Sequence, residues 1–154
     1  MLCSIKECYE KLEVPLMIEF KPLAITENEA CLIDLLSENQ VEVKKVPVEE
    51  NRAFSLALYD GNQYIGGITA NKWMNATHIS LLALSKSYRH QGYGTQLLKK
   101  AETFAKQEGA TLITINTQDY QAKTFYEKQG YHVFGQLADT PFVGTTKYYL
   151  VKQI

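Results

Sequence analysis

Two glycines, Gly92 and Gly94, lie within Arg89-His-Gln-Gly-Tyr-Gly-Thr95, between an apolar run and a stretch of helical periodicity. Glycine at both places lets successive backbone N–H groups turn toward one point, and a helix starting there adds the positive end of its dipole. Such a point attracts an anion with several oxygens, and a diphosphate fits it. An ordinary strand-to-helix turn would use the same residues, so the surrounding chain must decide. A dinucleotide fingerprint needs a third glycine three places after Gly94, where Leu97 stands. A nucleotide-hydrolysing loop needs lysine and a hydroxyl after Gly94, whereas Thr95 and Gln96 follow.

The elements that must hold this loop follow from period and punctuation. Residues 1 to about 14 have Ile5, Cys8, Tyr9 and Leu12 at helical spacing, and Pro15 ends that stretch. Leu16 to Ile25 reads as a first strand, with Pro22 near one edge. Thr26 and Glu29 form a capping box for a helix that Asn39 ends, and Val41 to Asn51, interrupted by Pro47, reads as a loop or ragged edge. Ala53 to Tyr59 and Gln63 to Ala70 alternate around Asp60-Gly61-Asn62, a hairpin turn signal. Gly66-Gly67 in the second of these marks a bulge or a close approach to the backbone.

His78 to Ser85, apolar on both faces near its end, suits a central strand leading into the glycine loop. After the loop, Tyr93, Leu97, Leu98, Ala101, Phe104 and Ala105 share one helical stripe, and Gly109 stops it. Thr111 to Asn116 is then a strand parallel to the one before the helix. Asp119 caps a helix from Tyr120 to Gln129, Gly130 closes it, and strands Tyr131 to Gly135 and Thr145 to Val151 finish the chain. The order β, α, three-strand meander, α, β, α, β, β gives an α/β fold with a mixed, mostly antiparallel central sheet.

At 154 residues with 45% apolar and 21% charged side chains, the chain has the size and composition of one soluble globular domain. A net charge of −1 provides no general attraction for nucleic acid or anionic membrane. Ten tyrosines spread without basic interleaving suit sheet packing rather than base stacking. Cys3, Cys8 and Cys31 make no metal spacing and leave an odd thiol, so a reducing, cytoplasmic home is expected and no metal. No run approaches the ~20 apolar residues of a membrane helix, and no basic-then-apolar leader opens the sequence.

With those elements around it, Arg89-x-x-Gly92-x-Gly94 resembles the acyl-CoA loop of the GNAT superfamily of N-acetyltransferases. Asp119-Tyr-Gln-Ala122-x-x-Phe125-Tyr126-Glu-Lys-x-Gly130-Tyr131 is similar to that superfamily's second signature, and so is the Gly66-Gly67 strand. The likeness runs over roughly residues 16 to 153, within a single domain, 1–154, whose first 15 residues read as an extension. It implies acetyl-CoA as acyl donor in a V-shaped gap between the strand ending at Leu84 and the strand starting at Thr111, a splayed parallel pair. Leu82 and Leu84 would then pair with the pantetheine arm, and a backbone N–H near Leu84 would polarise the thioester carbonyl. Gln91, Gly92, Tyr93, Gly94 and Thr95 would hold the pyrophosphate. Arg89 and, less so, Lys123 would neutralise its charge.

The same resemblance makes Tyr126 the catalytic residue, facing the CoA sulfur, with packing beside Phe125 as the alternative role. Many relatives place a carboxylate on the strand before the loop, where this chain has only His78, and asparagine where Asp119 stands. Direct attack needs a neutral amine, and a lysine-type amine of pKa ~10.4 is neutral in only about one molecule in a thousand near pH 7. His78, Glu49, Glu50 and Asp60 have the right chemistry for a base, but their spacing does not choose among them. The implied function is transfer of acetyl from acetyl-CoA to a small-molecule or peptide amine. A CoA-binding sensor or interaction module that lost its base is the alternative, and pairing of two copies through a sheet edge is compatible with either.

Overall fold

The computed structural model describes residues 18–154. The expected helix over 1 to about 14, Cys3, Cys8 and the start of the expected first strand lie outside that range. The chain divides into two compact units, Met1–Val46 and Pro47–Ile154.

In the first unit, residues 18 to 24 have no regular structure, which overturns the expected strand over that part. Ile18 and Phe20 are almost fully exposed, so the alternation that suggested a strand buries no face. Helix α1 runs Ile25–Lys44, with Ala24 as its N-cap and no side-chain cap bond. Thr26 is therefore inside the helix rather than capping it. Asn39 does not end it either, because a single asparagine costs only a few tenths of a kcal/mol there. The stop comes at Lys45, left-handed at φ 56°, whose N–H bonds to the Val41 carbonyl.

The second unit is one six-stranded sheet with two helices. Its strands are β1 Arg52–Asp60, β2 Gln63–Trp73, β3 Ala76–Leu84, β4 Leu112–Gln118, β5 His132–Ala138 and β6 Thr146–Gln153, in spatial order β1-β2-β3-β4-β6-β5. Every neighbouring pair is antiparallel except β3 with β4. Helix α2, Tyr93–Gln107, joins that parallel pair, and the short helix α3, Lys123–Lys128, follows β4. The expected mixed sheet and crossover are present.

One face of the sheet carries the core. Ile68 and Ala70 of β2, Ile79 of β3, Ile113 and Ile115 of β4 and Leu150 of β6 pack with Leu97, Leu98, Ala101 and Ala105 of α2. Burying each large side chain contributes about 1.5–3 kcal/mol, enough to fix α2 on this face. Lys72 of β2 shares the face, and its ammonium reaches Glu49 at 2.6 Å.

Two irregularities shape the functional end. At Gly66 a Cβ would collide with the Ala83 carbonyl, and at Gly67 it would stand 2.7 Å from the Leu56 carbonyl. Both glycines mark the close approach their sequence predicts. In β3, Ile79 pairs with Ala70 and Leu81 with Thr69, so Ser80 is an extra residue. This bulge reverses which side chains face the core: Leu82 and Leu84 pack against it, while Leu81 is 70% exposed.

Candidate active site

The parallel ladder between β3 and β4 is only four rungs long, from Ala76 beside Leu112 to Ile79 beside Ile115. Beyond Ile79 and Ile115 the two strands part. Past this vertex β3 stays paired with β2 through Leu84, and β4 stays paired with β6 through Gln118. The result is a wedge-shaped gap inside a continuous sheet.

The backbone lining that gap is set by ladder phase. Ser85 donates its N–H to Ile65 at 2.8 Å, so Ser85, Ala83 and Leu81 turn their backbone groups toward β2. Leu82 and Leu84 therefore turn theirs toward the gap. The Leu84 carbonyl is already taken by Arg89 Nε at 3.0 Å. Among the described residues, that leaves the Leu84 N–H and both backbone groups of Leu82 without a partner and turned so as to extend the sheet to a strand-like ligand.

The glycine loop stands at the open end of β3. Gly92 is the left-handed N-cap of α2 at φ 84° and makes no side-chain cap bond, and the first helical bond runs from Gln96 N–H to the Gly92 carbonyl. The N–H groups of Tyr93, Gly94 and Thr95 thus lie in the first turn, where no intrahelical acceptor exists. A Cβ at Gly94 would stand 3.5 Å from Phe125 and 3.7 Å from Leu84. Helix α2, strand β3 and helix α3 therefore meet at this residue. Gln91 spends its amide on the Ser87 carbonyl at 2.9 Å, and Arg89 is exposed apart from its bond to Leu84.

Tyr126 is buried, with its ring edge-on to Phe125 at 5.0 Å and to Tyr131 at 5.9 Å. Burial pushes its phenol up to about 12. Tyr131 donates to Glu102 at 3.1 Å, Lys152 meets the same carboxylate at 2.8 Å, and this trio locks the ring behind Tyr126. Asp119 is not a helix cap: its carboxylate accepts from Tyr120 N–H at 2.8 Å and from Thr146 N–H at 2.9 Å, tying the end of β4 to β6. Consequently α3 starts at Lys123, after Thr117 has accepted the Ala122 N–H at 3.3 Å.

The four base candidates separate cleanly. Glu49 and Glu50 line a cavity of about 370 Å³ with Arg52, Lys72 and Glu108, beyond the C-terminal end of α2. A 15-residue helix spans about 22 Å, so that cavity is remote from the glycine loop. Asp60 accepts the Tyr88 hydroxyl at 2.7 Å. His78, by contrast, sits one rung before the vertex with Nδ1 2.9 Å from Thr114 Oγ1. Lys123 is paired with Glu127 at 2.8 Å and lies over the Tyr148 ring.

A model of the acetyltransferase (GNAT) family matches residues 8–131. The chain belongs to that family. It is 29% identical over 117 residues to a blasticidin-S acetyltransferase of Streptomyces morookaense, covering 73% of this chain and 85% of that one. An uncharacterised N-acetyltransferase of Bacillus subtilis is 31% identical over 124 residues, 73% of this chain and 86% of the relative. An acetyltransferase from Bacillus cereus has the same fold at TM-score 0.78 and 28% identity, over 89% of this chain and 98% of that one. The GNAT chain is thus an acyl-CoA-dependent N-acetyltransferase with acetyl-CoA as its acyl donor. The free backbone groups at Leu82 and Leu84 and the open first turn of α2 suit a donor with an amide-bearing arm and a diphosphate. Among the described residues no cluster of metal-ligating side chains occurs, and no helix is long and apolar enough to cross a membrane.

Proposed function

We propose that this protein transfers acetyl from acetyl-CoA to the primary amine of a small molecule by direct attack. The observation that carries the reading is the wedge after Ile79 and Ile115, with Leu82 and Leu84 facing into it and the glycine loop at its mouth. In it Leu82 and Leu84 align the pantetheine arm, and the Leu84 N–H polarises the thioester carbonyl. Gln91, Gly92, Tyr93, Gly94 and Thr95 hold the pyrophosphate through backbone N–H groups, with Arg89 at the edge.

Tyr126 faces the sulfur as a hydrogen-bond donor. With the phenol at about 12 and an ordinary thiol near ~8.5, full proton transfer to the thiolate is uphill by roughly 5 kcal/mol. Tyr126 therefore stabilises the leaving sulfur without surrendering its proton. The relative named for blasticidin S supports a small-molecule acceptor over a peptide. Residues 1–154 act as one acetyltransferase domain in the cytoplasm, and the edge strands β1 and β5 offer a route to a homodimer.

Thiol release from acetyl-CoA across an amine panel, run beside thermal unfolding with CoA, tests this. CoA at about 100 times its dissociation constant should stabilise the fold by ~2.7 kcal/mol, and at least one amine should accelerate thiol release. Stabilisation without release for any amine would favour the sensor alternative.

A further inference from the structure

We infer that His78 is the proton acceptor for the attacking amine, held by Thr114. This rests on the transferase reading above. The ring stands one rung before the point where β3 and β4 part, on the opposite face from Ile79, α2 and the buried Tyr126. The gap is open past that rung, so an amine approaching the thioester from this face passes the imidazole. His78 Nδ1 lies 2.9 Å from Thr114 Oγ1, and in the tautomer whose Nδ1–H donates to that hydroxyl, the one the assignment requires, Nε2 keeps its lone pair for an outside proton.

The neighbours favour the neutral ring. His78 is level with Asn71 on β2 and Thr114 on β4, and Thr114 is level with Val151 on β6, which is level with His132 on β5. Asn71 spends its amide on Ser80 at 3.4 Å. Lys147 of β6, whose ammonium lies over the Tyr149 ring at 5.4 Å, is the charge that acts on His78, and Lys72 beside it in sequence register points to the core face. Burial first, and Lys147 second, lower the His78 pKa below its ordinary 6.5. No carboxylate among the described residues acts on the ring to raise it.

The step balances without a further reactant. The neutral amine's nitrogen lone pair forms the C–N bond, and the nitrogen, made acidic by that bond, gives its proton to Nε2, directly or through one water. The C–S bond breaks with its electron pair on sulfur, near Tyr126. The proton on Nε2 leaves to solvent as the thiolate takes one up, and the products are an acetamide and CoA thiol.

The test measures kcat/KM for an acetylated panel amine from about pH 5 to 9 in wild type, His78→Gln and Lys147→Met. Wild type should lose activity on the acid side with a midpoint below 6.5, and Lys147→Met should move that midpoint upward. His78→Gln should lower kcat at least about tenfold and abolish the acid limb, with CoA affinity unchanged. As a second measurement, the His78 ring resonance in wild type should titrate at the same midpoint as activity. Full kcat in a folded His78→Gln, or a ring midpoint unrelated to the activity limb, overturns the assignment and leaves the transferase reading intact. Wild-type protein that acetylates no amine removes both.

Discussion

Tyr126 and His78 are both pushed toward their neutral forms by burial, and the proposed reaction gives them opposite uses. In the proposed reaction the neutral Tyr126 phenol, at about 12, donates a hydrogen bond to the developing thiolate without releasing its proton. Tyr126→Phe should therefore lower kcat about tenfold or more with CoA affinity retained, measured by turnover and by CoA-dependent thermal shift. A neutral imidazole accepts a proton, and the same shift leaves a mark on stability. Because the folded pKa of His78 lies below 6.5, the unfolded chain binds more protons beneath that value. The stability His78 contributes is whole above 6.5 and is lost as pH falls through the folded pKa. Thermal unfolding of His78→Gln should accordingly decline less than wild type on acidification, provided both are folded at neutral pH. Glu49 gives a contrasting case: Lys72 is buried while the Glu49 carboxylate is half exposed. Glu49→Gln should cost about 1–2 kcal/mol in denaturant unfolding, less than for a fully buried pair because water already screens one partner.

At the scale of elements, the glycines separate packing from ligand contact. Gly66→Ala should destabilise the fold by several kcal/mol, since the added methyl would press on the rigid Ala83 carbonyl and on Leu84. Gly94→Ala meets nothing closer than 3.5 Å and has no positive φ, so it should unfold normally yet weaken CoA binding, read by titration. Much of this architecture is legible in residue order. The hairpin at Asp60-Gly61-Asn62, the α2 stripe ending before Gly109 and the β3–α2–β4 crossover each rest on strong periodicity or on a turn residue with one conformation. What was illegible depended on distant partners. Asp119 looks like a cap in sequence, but Thr146, 27 residues on, claims its second oxygen. Thr26 and Asn39 carry end signals that α1 overrides at both ends. The Ser80 bulge leaves no trace beyond an apolar run, yet it decides that Leu82 and Leu84 rather than their neighbours pack their side chains on the core. Thr114 and Lys147, on strands β4 and β6, become neighbours of His78 only when the sheet is assembled.

For the second unit as a whole, four parallel rungs and one further backbone bond, from Thr111 N–H to the Asn75 carbonyl at the ladder's start, stitch β1–β2–β3 to β4–β6–β5. Helix α2 spans the join on one face, where Leu97, Leu98, Ala101 and Ala105 pack with residues from both halves. A pantetheine arm bonded to Leu82 on one side and seated against β4 on the other would supply rungs that the protein lacks. The cosubstrate then belongs to the mechanical continuity of the sheet. Amide hydrogen exchange would reveal this: on adding CoA, the Leu82 and Leu84 amides should slow most, and β3 and β4 should begin to open together rather than as two halves. Each turnover would in that case unpick and restore the seam of the sheet.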